Sequence, residues 1–340
     1  MNKLKWLYNA FLDKAAYKRI ILDNAHISLL SRRESIVIKG FLMILIVLSH
    51  NKYIMSGNLG LIYLYSFHIY SFYFLPFLYD IKQESFFCFF KKKIRQYFLP
   101  YSIIFVILII LNWKNCLNSD LKDFVIAYIT GSQITLRETL HSGGFLWFIP
   151  TMFSLLCIRK LYYNQQIVGR SILLIISLIL LICYIFKWII PVFIYTPFSI
   201  TIATAMLLPS VIARYLITYY NKSYLNIIFF TLIIVDFIIL PLKNIYTNTY
   251  NFLTFGLSPI LIFTFIISMR YSLIKNHIFN LIGIKSYPIY IIHIFVYNFF
   301  YLILDNRIEM NLFYGIILMF IVLLLSYIIS KVKIITKIFS

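Results

Sequence analysis

Residues 36–50 read IVIKGFLMILIVLSH, an apolar stretch that contains two ionisable side chains, Lys39 and His50. Ionisable side chains are costly in hydrocarbon, so within a membrane-spanning helix they indicate a functional site. The two are eleven residues apart, and at about 100° per residue this spacing completes close to three helical turns. Both side chains therefore lie on one face of a predicted helix, with a rise of roughly 16 Å between them. This spacing favours a site that is reached from both sides of a membrane.

The composition predicts an integral membrane protein. Of 340 residues, 62% are hydrophobic and 12% are charged, and the mean hydropathy is +0.88; a soluble domain carries about twice that charged share. Because a backbone in lipid must satisfy its hydrogen bonds within each segment, and the apolar runs lack the alternation of barrel strands, we expect an all-α polytopic bundle. About ten transmembrane helices are predicted, at residues 35–54, 59–80, 97–113, 144–162, 171–188, 196–216, 224–242, 251–269, 286–304 and 312–331.

The basic residues predict the orientation of these helices. In the ten-span arrangement, 24 of the 31 Lys and Arg lie on the side of the N-terminus, so both termini are predicted to be cytoplasmic. Residues 1–33 form a predicted basic amphipathic cytosolic segment rather than a cleaved signal, and residues 34–340 form the transmembrane domain. The net charge of +20 is interpreted as basic loops that face anionic lipid, not as a nucleic-acid site. The four cysteines show no metal-ligand spacing, so no metal is predicted.

Three of the six histidines lie inside predicted spans: His50, His68 and His293. A neutral imidazole is less costly to bury than a charge, and it accepts a proton near neutral pH. For each histidine alone, a core residue bonded to a neighbouring helix is as good an interpretation as a catalytic one. Three of them on the first, second and ninth spans, with Lys39 below, favour a shared cavity.

The predicted inner loop 81–96 contains the basic run KKKIR at residues 91–95. One interpretation is a cytoplasmic anchor that contacts anionic lipid. The other is a site for the phosphates of a nucleotide-like donor such as coenzyme A, because Lys92 and Arg95, three residues apart, share a face if the segment is helical. Arginine can bind a phosphate through two parallel hydrogen bonds.

Taken together, these segments resemble the acyltransferase-3 family of polytopic membrane acyltransferases, most closely its fucose 4-O-acetylase-like and other sugar O-acetyltransferases. The resemblance runs from about residue 33 onward and rests on residues 39–50 (Lys-x10-His), 66–74 (SFHIYSFYF), 92–101 (KKIRQYFLPY), 146–148 (LWF) and 286–293 (SYPIYIIH). Two departures are Lys92, where the family has the first arginine of Arg-x-x-Arg, and residues 75–77 (LPF), where it usually has a Ser-Gly pair.

The resemblance implies transfer of an acyl group, expected to be acetyl, from cytosolic acetyl-CoA to a hydroxyl of an envelope polysaccharide or lipid-linked glycan. It further implies a location in the bacterial inner membrane. On this hypothesis the donor is bound by three basic side chains, Lys39, Lys92 and Arg95. His50 is then the general base or the nucleophile, and His68 and His293 orient the donor or stabilise the oxyanion.

Two other function classes stay open. A glycan polymerase or flippase is also basic and polytopic, but a polymerase is expected to carry a larger outer loop facing a lipid pyrophosphate. A proton-coupled transporter would use Lys39 and His50 as a proton relay. Against a transporter, the sequence shows no internal repeat and few interrupted helices.

Overall fold

The computed structural model describes residues 31–51, 84–113, 120–131, 136, 139–140, 146–185, 198–219, 276–304 and 312–332. About 90% of these residues are helical and none of them lies in a strand, which confirms the all-α prediction. The predicted spans 59–80, 224–242 and 251–269, and with them His68, lie outside the described residues.

The seven predicted spans that fall on described residues each coincide with one or two helices. Their ends differ from the prediction by a few residues. The described helices, numbered in chain order, are α1 Arg32–Ser49, α2 Phe86–Lys93, α3 Leu99–Leu111, α4 Leu121–Thr130, α5 Phe148–Asn164, α6 Ile167–Ile185, α7 Phe198–Ala205, α8 Leu207–Tyr219, α9 His277–Ile284, α10 Ser286–Leu304 and α11 Leu312–Ile329.

Length and composition identify one described helix that is able to cross a membrane, Phe86–Leu111, and a second if the bent pair α9 and α10 counts as one span. Three further apolar helices in the described part are shorter: Ile167–Cys183, Ile200–Ile212 and Phe313–Ile329. α1 combines a long apolar run with four charged residues near its N-terminal half. The structure thus supports an all-helical chain, and the ten-span bundle stays a prediction.

α1 begins at a reciprocal cap. The Ser31 hydroxyl accepts the backbone N–H of Glu34 at 3.2 Å, and the Glu34 carboxylate accepts the backbone N–H of Ser31 at 2.7 Å. Two of the N–H groups that lack a helical partner are satisfied in this way. The cap fixes the start of the helix, one to two turns before Lys39.

α1 and α9 cross at two glycines, where backbone lies directly on backbone. A methyl group added at Gly40 would collide with the carbonyl oxygen of Phe279, and one at Gly283 would collide with the carbonyl oxygen of Ile36. Glycine is the residue that permits such an approach. α9 is therefore held against the N-terminal half of α1.

α9 and α10 are bent by 84° at the turn between them. Pro288 lies in the first turn of α10, where its missing N–H has no helical acceptor in any case. A helix that continued unbroken from α9 would need Pro288 to donate to the carbonyl of Ile284, four residues earlier, and proline has no N–H, which favours a break at this point.

The predicted span 196–216 is interrupted between α7 and α8. Pro209 has no N–H to donate to the carbonyl of Ala205, four residues earlier. The Ser177 hydroxyl on α6 donates to that carbonyl at 3.0 Å and accepts the N–H of Leu208 at 2.9 Å. A side chain of the neighbouring helix α6 thus hydrogen-bonds the backbone groups that the break leaves without partners, as an apolar surrounding requires. With the bend at α9, this interruption weakens the argument against a transporter.

A π-helical turn, Ile94–Phe98, joins α2 to α3 in one continuous helix, Phe86–Leu111. Pro100 follows this turn, and proline is a usual cause of such a bulge because it lacks an N–H and crowds the preceding turn. The charged residues of the helix end at Arg95, so its apolar part begins within the π-helical turn. The predicted inner loop 81–96 is therefore helical from Phe86 onward.

α5 is the central helix of the described part. Fourteen of its seventeen residues are buried, and it contacts α6, α7, α8 and the π-helical turn. A helix that is apolar all round its surface is typical of such a position. Its two adjacent cations, Arg159 and Lys160, are buried as well, although the sequence suggests only a cytosolic helix end.

We predict that Gly40→Ala and Gly283→Ala each lower the free energy of unfolding by about 1–3 kcal/mol or more, because overpacking here would push two backbones apart. Gly169→Ala is the matched control: its methyl group would meet only the flexible side chain of Gln165, and alanine is the better helix former by about 1 kcal/mol. Thermal unfolding in detergent measures all three variants. Equal stability of Gly40→Ala and Gly169→Ala would contradict the tight crossing.

Candidate functional site

One stripe of α10 contacts the C-terminal end of α1. His293, Tyr297 and Tyr301 recur every four residues, so their side chains lie on the same helical face. The His293 Nε2 lies 3.4 Å from Nδ1 of His50. The Tyr297 hydroxyl donates to the carbonyl of Val47 at 2.9 Å, and the Tyr301 hydroxyl donates to the carbonyl of His50 at 3.2 Å.

The two tyrosine hydroxyls supply hydrogen-bond donors to backbone carbonyls at the C-terminal end of α1. The last four carbonyls of a helix have no partner within it, and leaving a carbonyl unsatisfied in an apolar interior costs about 1–3 kcal/mol. Asn51, two residues after the last residue of α1, is fully buried. Its side-chain amide donates to the carbonyl of Gly315 on α11 at 2.7 Å. The end of α1 is therefore held between α10 and α11.

His50 and His293 form a pair of imidazoles inside this contact. Their ring centroids are 5.0 Å apart at an angle of 69°. His293 is fully buried and His50 is partly exposed. Tyr290 packs beside His293, with ring centroids 5.9 Å apart, and Phe148 of α5 packs on Tyr290 at 4.8 Å. The pair thus lies in an aromatic surrounding, which favours neutral imidazoles over charged ones.

A group of cations lies around Lys39, near the middle of α1. Lys93 feels the charges of Lys39, Lys92 and Arg159, which come from three different elements. Its ammonium group donates to Oε1 of Gln96 at 2.7 Å. These four cations define what we call the inner cation group.

Aromatic rings surround the inner cation group. The ammonium of Lys93 lies 5.7 Å from the ring centre of Phe89 and 5.6 Å from that of Tyr97. The ammonium of Lys160, which belongs to α5, lies 5.9 Å from the centre of the same Phe89 ring. Such contacts attract a cation to the ring face, but they do not neutralise its charge.

Lys93 lies before the apolar part of its helix. Burial, followed by the neighbouring charges of Lys92, Lys39 and Arg159, lowers the pKa of Lys93 to about 8, and only Glu84 opposes this shift. Each nearby cation disfavours the charged form of the next. An anion that enters the group would relieve this repulsion, so the arrangement suits a ligand with several negative charges.

The predicted site residues fall into three sets. His50 and His293 are brought together, and Lys39 and Lys92 both act on Lys93. Lys92 is exposed on α2, and Arg95 is exposed on the π-helical turn that follows it. His68 lies outside the described residues.

Other site residues were missed from the sequence. They are Lys93, Arg159 and Lys160 at the inner end and Tyr297 and Tyr301 at the other end. The four-residue spacing of polar side chains from His293 to Tyr301 is a signal that the sequence contains. The burial of the α5 cations has no local signal, because it depends on what packs around that helix.

No group of three or more His, Cys, Asp or Glu within the described ranges is placed to hold a metal ion. The prediction that the site needs no metal stays a prediction. No protein-family model, curated protein or solved structure matches this chain. The resemblance to the acyltransferase-3 family therefore rests on the sequence motifs alone.

We predict that Tyr297→Phe lowers the free energy of unfolding by about 1–3 kcal/mol, because the carbonyl of Val47 would lose its donor in a buried position. Tyr314→Phe, on an exposed part of α11, removes the same hydroxyl and is the matched control. Thermal unfolding in detergent compares the two. A Tyr297→Phe variant as stable as Tyr314→Phe would show that the carbonyl finds another donor.

Proposed function

We propose that this chain is an integral membrane O-acyltransferase of the acyltransferase-3 type. It moves an acyl group, most simply acetyl, from cytosolic acetyl-CoA to a hydroxyl of an envelope polysaccharide or lipid-linked glycan. The observation that carries the proposal is the separation of two groups along α1. Lys39 belongs to a group of cations near the middle of the helix, and His50 pairs with His293 at its C-terminal end.

The cationic end suits the donor. Coenzyme A carries a pyrophosphate and a phosphate monoester, and such oxygens form their strongest hydrogen bonds with Lys and Arg. Lys39, Lys92 and Lys93 supply charge from two helices, and Arg159 supplies the planar, bidentate partner that Lys92 lacks. Arg95, at the exposed edge, is kept in the proposal as a contact to the donor's outer phosphate.

The histidine end suits the transfer. The acyl thioester lies at the far end of a long, flexible arm from the phosphates, so a donor held by the cations presents its thioester some distance along α1. The rise from Lys39 to His50 is roughly 16 Å. His50 takes the proton of the acceptor hydroxyl as its oxygen attacks the thioester carbon, help that is typically worth about 10²–10⁴-fold. His68 is kept as a further candidate to orient the donor.

A second candidate is a proton-coupled transporter. It is favoured by the 84° bend between α9 and α10, since transporters bind their substrates at discontinuous helices. In that function the histidine pair would carry the coupled proton. Acyl transfer requires acetyl-CoA and leaves a modified glycan, whereas transport requires a pH gradient and leaves the substrate unchanged, so one pair of assays separates them.

We predict that His50→Ala abolishes acylation of the surface glycan while the protein is still made in the membrane. Mass analysis of glycan from a deletion strain that carries wild type, His50→Ala or His277→Ala measures the acyl group per repeat. His277 is exposed at the start of α9 and is the control. Identical glycan masses with and without the gene would contradict the proposed function.

We predict that Lys39→Arg keeps most of the affinity for acetyl-CoA and that Lys39→Ala loses it, because the position supplies charge to the donor site. Thermal shift on titration with acetyl-CoA measures the affinity, since a ligand that binds only the folded state raises its stability. Equal shifts for both variants would remove Lys39 from the donor site, and no shift for wild type at millimolar ligand would favour the transporter.

We predict that acetyl-CoA binding weakens as pH rises from about 7 to 9.5. Lys93 is charged below its pKa of about 8 and neutral above it, whereas phosphate monoesters, with a second pKa of about 6, stay fully ionised throughout. Lys93→Arg keeps its charge over the whole range, so its affinity should vary less. Titrations at constant ionic strength measure both. Parallel profiles would show that Lys93 does not contact the donor.

A further inference from the structure

Both histidines of the pair bond to their own helices in the same way. The His50 Nδ1 lies 2.9 Å from the carbonyl oxygen of Ile46, and the His293 Nδ1 lies 3.1 Å from that of Ile289, each four residues earlier. A carbonyl oxygen only accepts hydrogen bonds. In each ring, therefore, Nδ1 carries the hydrogen.

This assignment determines how the two rings meet. A neutral imidazole has one N–H, so a hydrogen on Nδ1 of His293 leaves its Nε2 as an acceptor. That Nε2 faces Nδ1 of His50 at 3.4 Å. The His50 Nδ1–H is thus shared between the carbonyl of Ile46 and the lone pair of His293, and the contact contains no clash of two hydrogens.

We infer that His293 is a positioning residue for the acyl transfer: together with the carbonyl of Ile46 it holds His50 as the Nδ1–H tautomer, so that Nε2 of His50 is the atom that accepts the proton. The inference rests on the proposed function and deepens it, because it assigns different roles to the two histidines. The tyrosine contacts support this inference, since the hydrogen bonds from Tyr297 and Tyr301 hold the backbone at Val47 and His50 in place.

The proposed step balances as follows. The acceptor hydroxyl loses its proton to Nε2 of His50 while its oxygen forms a bond to the acyl carbon. The carbon–sulfur bond then breaks, the thiolate leaves with the electron pair, and the His50 imidazolium returns the proton to the sulfur. The products are the ester and free coenzyme A, and His50 is again neutral.

His293 has a second effect on this step. When His50 becomes an imidazolium, its Nδ1–H already points at two acceptors, so little reorganisation is needed to stabilise the charge. In serine proteases a carboxylate performs this task. A neutral imidazole does so here without placing a permanent charge among aromatic rings, where a charge would be costly.

The tautomer is measured directly by ¹⁵N NMR of histidine-labelled protein in detergent, with His50 assigned from a His50→Gln sample. The expected wild-type spectrum has a protonated Nδ1 and an unprotonated Nε2 at His50. In His293→Leu we expect a mixture of tautomers. A wild-type His50 protonated on Nε2 would overturn the inference, whatever the protein does with acetyl-CoA.

Transfer rates give the second readout. His293→Leu is expected to lower the rate by about 10²–10⁴-fold with unchanged acetyl-CoA binding. His293→Gln, whose side-chain oxygen is able to replace Nε2 as the acceptor, should recover a large part of it. His277→Gln, the same change at an exposed histidine, is the control and should have no effect.

The outcomes separate the two proposals. Full activity of His293→Leu with an unchanged His50 tautomer would overturn the positioning role and leave the proposed function standing. No transfer by the wild type would overturn the proposed function, and the spectrum would still decide the tautomer. If His293→Leu fails to fold, the His293→Gln variant decides. Recovered transfer by a folded His293→Gln supports the positioning role, and a folded His293→Gln without activity overturns it.

Discussion

A helix that ends inside an apolar bundle exposes carbonyl groups to surroundings that offer no water, and neighbouring side chains must supply the donors. At the end of α1 the donors come from α10, through Tyr297 and Tyr301. The same stripe contains His293, which meets His50. The requirement to satisfy a helix end therefore also creates the only imidazole pair within the described residues, on which the proposed chemistry depends.

The rest of α1 is held with similar tightness. A reciprocal cap at Ser31 and Glu34 fixes its start, and the contact at Gly40 and Gly283 fixes its distance from α9 and its rotation. With both ends and the middle fixed, Lys39 is held at a constant separation from His50. The proposed acyl transfer from a long donor would require such rigidity, because small misplacements of reacting groups reduce rates strongly.

The sequence predicts well those features that depend on one segment at a time. Apolar runs located eight described helices, and one helical face linked Lys39 to His50. What depends on packing between segments could not be predicted. The sequence predicts that Arg159 and Lys160 lie at a cytosolic helix end, but other helices pack around α5 and both side chains are buried. The π-helical turn at Ile94–Phe98 and the 84° bend between α9 and α10 each lie close to a proline, Pro100 and Pro288, but a proline alone does not specify either geometry.

The cations around Lys39 and the histidine pair also require separation for an electrostatic reason. Acids are scarce in the described part: Glu34 caps α1, Asp120 and Asp123 cap α4, and Glu84 remains near the inner cation group. On the proposed function, these cations bind the phosphates of the donor. A base that becomes an imidazolium would be opposed by such cations, since like charges repel strongly where water is excluded. The proposed acyl transfer would therefore gain from the roughly 16 Å that separate Lys39 from His50 along one helix.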